Sequence, residues 1–295
     1  MYAMARSLLP SEAMASDYLE LLKPRVISLV VFTGWVGLVI APGTLHPFMA
    51  AIAVLCIAVG AGAAGALNMW YDRDIDAIMS RTKHRPLPSG RVAPESALAF
   101  GVILASGSIL TMGLVVNWVA AGILAFSIFF YVVIYTLWLK RRTAQNIVIG
   151  GAAGAFPPMI GYAAVTGDIS WLSFLLFAII FMWTPPHFWA LALYRSGDYA
   201  AAHIPMLPVV SGVRVTQWHI VCYSVILVSL SCLPWVWGEM GPLYGGAALG
   251  LGAGFLVLSL CVLRKNWEKP ARRLFAYSIF YLFFLFLMMV VDKCL

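Results

Sequence analysis

Charged residues are scarce in this chain. Asp, Glu, Lys and Arg make up 11% of its 295 residues, and mean hydropathy is +0.92. A soluble domain carries about a quarter charged residues, so the composition excludes an ordinary soluble fold. Cysteine is sparse too. Cys56, Cys222, Cys232, Cys261 and Cys294 show no CxxC spacing, and four of them lie in apolar runs. Neither a disulfide framework nor a zinc site is indicated, and the cysteines read as packing residues. No long apolar core precedes Lys23, so the first residues do not read as a secretory signal. Glu12, Asp17 and Glu20 argue against a mitochondrial transit peptide. Residues 1–25 are expected to form a cytoplasmic N-terminal tail in a bacterial-type inner membrane.

What is abundant is apolar sequence, 62% of the chain. A spanning helix needs roughly 20 mostly apolar residues. Nine such runs occur: 26–42, 48–68, 96–114, 118–138, 146–165, 171–192, 217–237, 243–263 and 274–291. Glycine softens 146–165 and 243–263, although small residues suit close helix contact in membranes. The expectation is an all-α integral membrane protein, with residues 26–295 as one nine-helix domain. The net charge of +7 and pI near 9.3 superficially suggest nucleic acid. The distribution of the bases argues for cytoplasmic loops instead and implies no nucleic-acid partner. With the N-terminus inside, the internal segments hold 18 of the 19 Lys and Arg residues, Lys293 being the exception. The external loops carry Asp168 and Glu239 without a base. This bias predicts an N-in, C-out topology. Trp35, Trp118, Trp171, Trp235 and Trp237 fall near predicted span ends, where interfacial anchors belong.

Two internal segments, 69–95 and 193–216, are long, and long loops in compact bundles usually carry function. The first contains "NMWYDRDIDAIMSRTKHRPLPSG". Asn68, Asp72 and Asp76 fall at i, i+4 and i+8, so a helix stacks them on one face. Stacked carboxylates repel, and a hard cation such as Mg²⁺, held by oxygen ligands and substrate phosphates, would relieve them. Asp74 points elsewhere, toward a partner such as Arg73 or Arg81. Arg81, Lys83, His84, Arg85 and Arg91 follow as an anion-binding set, and a bound diphosphate would account for both groups. The plain alternative is a solvated helix extension with surface ion pairs.

The second segment places Tyr194, Arg195 and Asp198 at the end of a span, followed by His203 and a Pro205/Pro208 turn. Asp198 is read as facing the first acidic set, with Arg195 as a forked phosphate donor; a helix cap plus a proline turn is the alternative. A third stretch, "YTLWLKRRTAQNIVIGG", sets Lys140, Arg141 and Arg142 at the end of span four and Asn146 at the start of span five. Snorkelling bases at an interface would also produce it. His187 lies within span six after Pro185 and Pro186. A polar residue inside a span is a functional candidate by default. It reads either as a haem ligand or as a histidine bonded to a carbonyl freed by the prolines.

Asn68-x-x-x-Asp72-x-x-x-Asp76 resembles the first aspartate-rich motif of the UbiA superfamily of intramembrane prenyltransferases. "LLKPRV", the two stretches quoted above, "PPHFWALALY" and "DYAAAHIPMLPVV" together are similar to its haem-farnesylating branch, in the same order and over most of the chain. The resemblance implies nine helices in a ring around a central cavity open to the cytoplasm. It implies farnesyl diphosphate and protohaem (haem B) as substrates, Mg²⁺ as the ion and haem O as the product. Hand-over of that product to a haem A synthase or to terminal-oxidase assembly is also implied. On this reading Asn68, Asp72, Asp76 and Asp198 hold the ion. Arg81, Lys83, Arg85, Lys140, Arg141 and Arg195 take the diphosphate charge, Asn146 and Tyr194 donate hydrogen bonds, and Trp70 and Tyr71 steady an allylic cation. His187 is the candidate haem ligand. The chain departs from the superfamily at the second Asp-x-x-x-Asp: Ala202 follows Asp198 by four, and Gly197 stands where the haem branch is often acidic. A prenyltransferase acting on a quinone precursor lacks the "PPHFW" feature. A transporter would need charges at span centres and related halves, which the sequence does not have.

Overall fold

The computed structural model describes residues 13–295 and builds them from helices and connecting turns. The first part of the expected tail, including Arg6 and Glu12, lies outside the described residues. Helix α1 (Ala15–Leu21) meets α2 (Pro24–Ile40) at a 56° bend. Proline has no amide hydrogen and suits a first helical position, so Pro24 restarts the helix. Lys23, at the corner, sits in the left-handed region with φ 54°, a conformation that costs a residue with a Cβ about 1–2 kcal/mol.

Then come α3 (Pro47–Tyr71), α4 (Arg73–Ile78), α5 (Pro94–Thr111) and α6 (Trp118–Phe129). Both α5 and α6 run on into wider π-helical turns, at Met112–Val116 and Phe130–Leu139. Next are α7 (Asn146–Ala155), α8 (Pro157–Thr166), α9 (Trp171–Tyr194), α10 (Ser196–Ala201) and α11 (Leu207–Val210). Three long helices finish the chain: α12 (Gly212–Val236), α13 (Pro242–Val262) and α14 (Glu268–Cys294).

Among the described residues, eight helical segments are long and apolar enough to cross a membrane. The first expected span differs. At 17 residues, α2 rises only about 26 Å, short of a ~30 Å hydrocarbon core, and reaches spanning length only together with α1. The last span begins at Glu268 rather than 274, which makes Arg272 and Arg273 helical. The long internal segments are not plain loops, for they contain α4, α10 and α11.

Each helix packs on its neighbours in turn: α2 on α3, α8 and α14, α3 on α5, α7 on α9, α9 on α12, α12 on α13 and α13 on α14. The glycines that weakened the fifth run have a packing purpose. A Cβ on Gly161 would fall 1.9 Å from the Gly34 carbonyl oxygen, and one on Gly37 would fall 2.0 Å from that of Pro158. Helices α2 and α8 therefore touch backbone to backbone, as small residues permit in membranes. Large apolar side chains such as Ile103, Leu114 and Phe126 stay exposed on the outside, as do all five predicted tryptophan anchors. That is the expected surface of helices facing lipid rather than water.

Candidate functional site

The i, i+4, i+8 face survives the short break between α3 and α4. Asn68, Asp72 and Asp76 are 4%, 1% and 3% exposed. Asn68 Nδ2 donates to Asp72 Oδ2 at 2.7 Å and to Thr136 Oγ1 at 3.1 Å. Buried carboxylates need compensating charge, and bases from their own segment and from two others provide it. Lys140 Nζ pairs with Asp72 Oδ2. Arg85 Nη1 pairs with Asp76 Oδ2 at 2.7 Å. Arg141 Nη2 stands 3.6 Å from Asp72 Oδ1. Lys23 Nζ reaches across from the α1–α2 corner to Asn68 Oδ1 at 2.8 Å. With Asp74, which takes Arg141, three carboxylates thus face four bases. The surplus is positive, and one oxygen, Asp72 Oδ1, is buried without a hydrogen-bond partner.

The π-helical end of α6 is what turns several of these groups inward. A wider turn brings residues five apart into line. Lys140 N donates to Tyr135 O at 2.8 Å and Thr136 Oγ1 to Tyr131 O at 2.8 Å. Thr136 and Lys140 therefore touch the acidic face, and Tyr131 and Tyr135, with ring centroids 5.4 Å apart, belong to the same π-helical stretch. Gly150 makes room: a Cβ there would sit 2.2 Å from Tyr135 Cδ2.

The two internal segments do meet. Ser80 Oγ donates to both Asp198 oxygens, at 3.0 and 2.9 Å. Ile75 and Met79 pack with Ile147, Ala202, Ile204 and Met206 beneath this contact. Asp198 nevertheless belongs to a separate pairing, with Arg195 3.9 Å away. Among the described residues no three His, Cys, Asp or Glu side chains gather closely enough to hold an ion. The predicted set of Asn68, Asp72, Asp76 and Asp198 is thus divided, because each carboxylate has its own basic or hydroxyl partner.

Other expectations change in detail. Asp74 pairs with neither Arg73 nor Arg81 but with Arg141, through two 2.7 Å bonds. The guanidinium holds the Asp74 carboxyl below its usual range. Arg141 also lies 4.7 Å over the Tyr71 ring, and Arg73 lies 5.7 Å over Trp70. Those two aromatic faces already carry cations and line a recess together with Asp74. Arg91 is held by Asp17 and Glu20 of α1 and by the His84 carbonyl. Asn146 spends its amide hydrogens on the carbonyls of Thr143 (2.7 Å) and Lys140 (3.4 Å), so it presents an unpartnered acceptor rather than the predicted donor. Arg81, Lys83 and Arg195 are exposed. Tyr194 is half-buried, with Arg272 5.3 Å over its ring.

His187 is buried, its ring stacked between Trp183 (4.3 Å) and Phe275 (4.6 Å). Its Nδ1 lies 2.6 Å from Ser278 Oγ on α14. Among the described residues it takes no carbonyl freed by the prolines. Sequence reasoning missed Lys23, Tyr131, Tyr135, Thr136, Ser80 and Ser278. Of these, Lys23 alone had a local signal, as the base before the proline in "LLKPRV".

Comparison with known proteins places this geometry. The model of the UbiA prenyltransferase family matches residues 30–288. A protoheme IX farnesyltransferase of Parvibaculum lavamentivorans is 61% identical over 95% of this chain and 90% of its own length. Another, of Granulibacter bethesdensis, is 57% identical over 97% and 93%. A solved structure of digeranylgeranylglyceryl phosphate synthase superposes with a TM-score of 0.79 at 19% identity, covering 94% of this chain and 98% of that one. A UbiA homologue from Archaeoglobus fulgidus, bound to GPP and Mg²⁺, superposes with a TM-score of 0.66 at 16% identity, covering 92% and 99%. With eight apolar helices of spanning length and this match along nearly its whole length, the chain is a multi-pass membrane protein and a transferase that belongs to the UbiA prenyltransferase family.

Proposed function

We propose that this protein transfers the farnesyl group of farnesyl diphosphate to a vinyl group of protohaem, with hydration, giving haem O and diphosphate. The observation that carries the reading is the buried cluster in which Lys23, Lys140, Arg85 and Arg141 surround Asp72 and Asp76. Its surplus of positive charge in a low-dielectric place calls for an anion, and a diphosphate supplies one. The high identity to protoheme IX farnesyltransferases supports haem as the acceptor. Asp72 Oδ1, buried without a hydrogen bond beside Asn68, is the oxygen of the divided set at which Mg²⁺ would enter, displacing Lys140 and Arg85 from the two carboxylates. Asn68, Asp72 and Asp76 would hold it, with Asp198 at the facing segment, and when bound it adds charge neutralisation at the leaving group.

The chain's own residues do the rest. Lys23, Lys140 and Arg85 stabilise diphosphate as its bond to farnesyl C1 breaks and the electron pair stays on oxygen. Exposed Arg81, Lys83 and Arg195 guide the substrate in. Tyr131 and Tyr135 offer ring faces to the allylic cation, each such contact being worth roughly 0.5–2 kcal/mol. The vinyl terminal carbon bonds to C1, and water captures the resulting cation and loses a proton. His187 ligates or orients the haem. The helices form a single domain, residues 26–295, of nine spans in a ring, N-in and C-out in the inner membrane, with the site facing the cytoplasm and the product passing to a haem A synthase or oxidase assembly. The circuit of helix contacts that returns from α14 to α2 supports the ring, and the basic internal segments support the orientation.

Purified protein with Mg²⁺, farnesyl diphosphate and protohaem is expected to yield hydroxyethylfarnesyl haem by mass spectrometry. Farnesyl transfer to a quinone-precursor acid, with none to haem, would overturn the assignment.

A further inference from the structure

We propose that Ser278 fixes the tautomer of His187, keeping the proton on Nδ1 and directing the bare Nε2 lone pair at the haem iron. The iron half of this statement rests on the haem reading above; the tautomer half does not.

A hydroxyl has one hydrogen and two lone pairs. Ser278 Oγ lies 2.6 Å from the Phe275 carbonyl oxygen and 2.6 Å from His187 Nδ1. A carbonyl oxygen can only accept, so the Ser278 hydrogen must point at Phe275. Were it turned to the histidine, two oxygens would face each other at 2.6 Å with no proton between them. Ser278 Oγ is therefore an acceptor toward the imidazole, and Nδ1 must carry the hydrogen. In neutral histidine the other nitrogen is then bare.

The surroundings hold this arrangement in place. Trp183 Nε1 donates to the Ser278 backbone carbonyl at 2.7 Å, pinning α9 to α14 at the same residue. Trp183 and Phe275 cover the two ring faces at 18° and 24° to its plane, so the imidazole cannot swing about. Nε2 has no protein partner among the described residues. A histidine that binds metal through one nitrogen characteristically donates from the other to an oxygen acceptor, which fixes its tautomer and raises its basicity. Ser278 is thus a positioning residue that acts through His187.

The test uses the full chain in detergent micelles, labelled with ¹⁵N-histidine, the His187 signal being the one lost in His187→Gln. The wild type is expected to show a protonated Nδ1 and an unprotonated Nε2. Ser278→Ala is expected to lose that preference and bind haem about tenfold more weakly in a Soret titration. Ser278→Thr, which keeps the hydroxyl, is expected to retain both properties. A protonated Nε2 in the wild type would overturn the assignment, and that measurement needs no variant to fold. So would a Ser278→Ala protein with unchanged tautomer and unchanged affinity. An unaltered Soret titration in His187→Ala would remove the iron half alone, leaving the nitrogen signals to decide the role of Ser278.

Discussion

Asp72→Asn is the most informative single change, because it keeps the side chain's shape and removes only its charge. Asp72 is 1% exposed and its partner Lys140 is 16% exposed at the side chain. After the change, Lys140, Lys23 and Arg85 face one another with only Asp76 between them. Breaking a buried pair by removing one partner costs about 3–5 kcal/mol. Lys140 keeps some contact with water, so the low end applies. About 3 kcal/mol corresponds to a fall in Tm of about 5 °C for a chain of 295 residues. The second change Lys140→Met removes the stranded base, and the double variant is expected to recover most of the loss while remaining inactive. Thermal unfolding in detergent measures both proteins. A single variant as stable as wild type would refute the buried pair. A double variant no better than the single would show that the stranded Lys140 charge does not set the cost.

Gly161→Leu is expected to destabilise by more than the 1–3 kcal/mol typical of overpacking, since the obstacle is the Gly34 backbone oxygen; normal yield and Tm would contradict the α2–α8 contact. Ser80→Ala should free Asp198 and raise the KM for farnesyl diphosphate several-fold with kcat less affected, whereas identical kinetics would mean the two internal segments need not be joined. Arg91→Met leaves Asp17, 3% exposed at its side chain, without its cation, and is expected to loosen α1, read as faster proteolysis near residues 13–22; an unchanged digestion pattern would argue against the tie.

The spans and the acidic face were legible because both depend on local periodicity. Runs of apolar residues mark helices at any depth, and Asn68, Asp72 and Asp76 share a face by helix geometry alone. Partners were legible only where they were close in sequence. Lys23 lies 45 residues from Asn68, and Lys140 lies 68 from Asp72; nothing local joins them. The π-helical turn at Phe130–Leu139 rotates Thr136 and Tyr135 away from where an α-helix would carry them. Arg141, the partner of Asp74, lies 67 positions away, so nothing local joins that pair either. His187 drew attention by its polarity inside an apolar run, yet its partner on α14 is 91 positions away.

On this mechanism the buried basic cluster receives a diphosphate. Equilibrium binding of a non-hydrolysable farnesyl diphosphate analogue to wild type and to Lys23→Met/Lys140→Met tests it directly. Two lost charge-assisted contacts, each worth about 1.5–3 kcal/mol, predict an affinity at least a hundredfold weaker in the variant. Equal affinity in a variant that still folds would contradict the account.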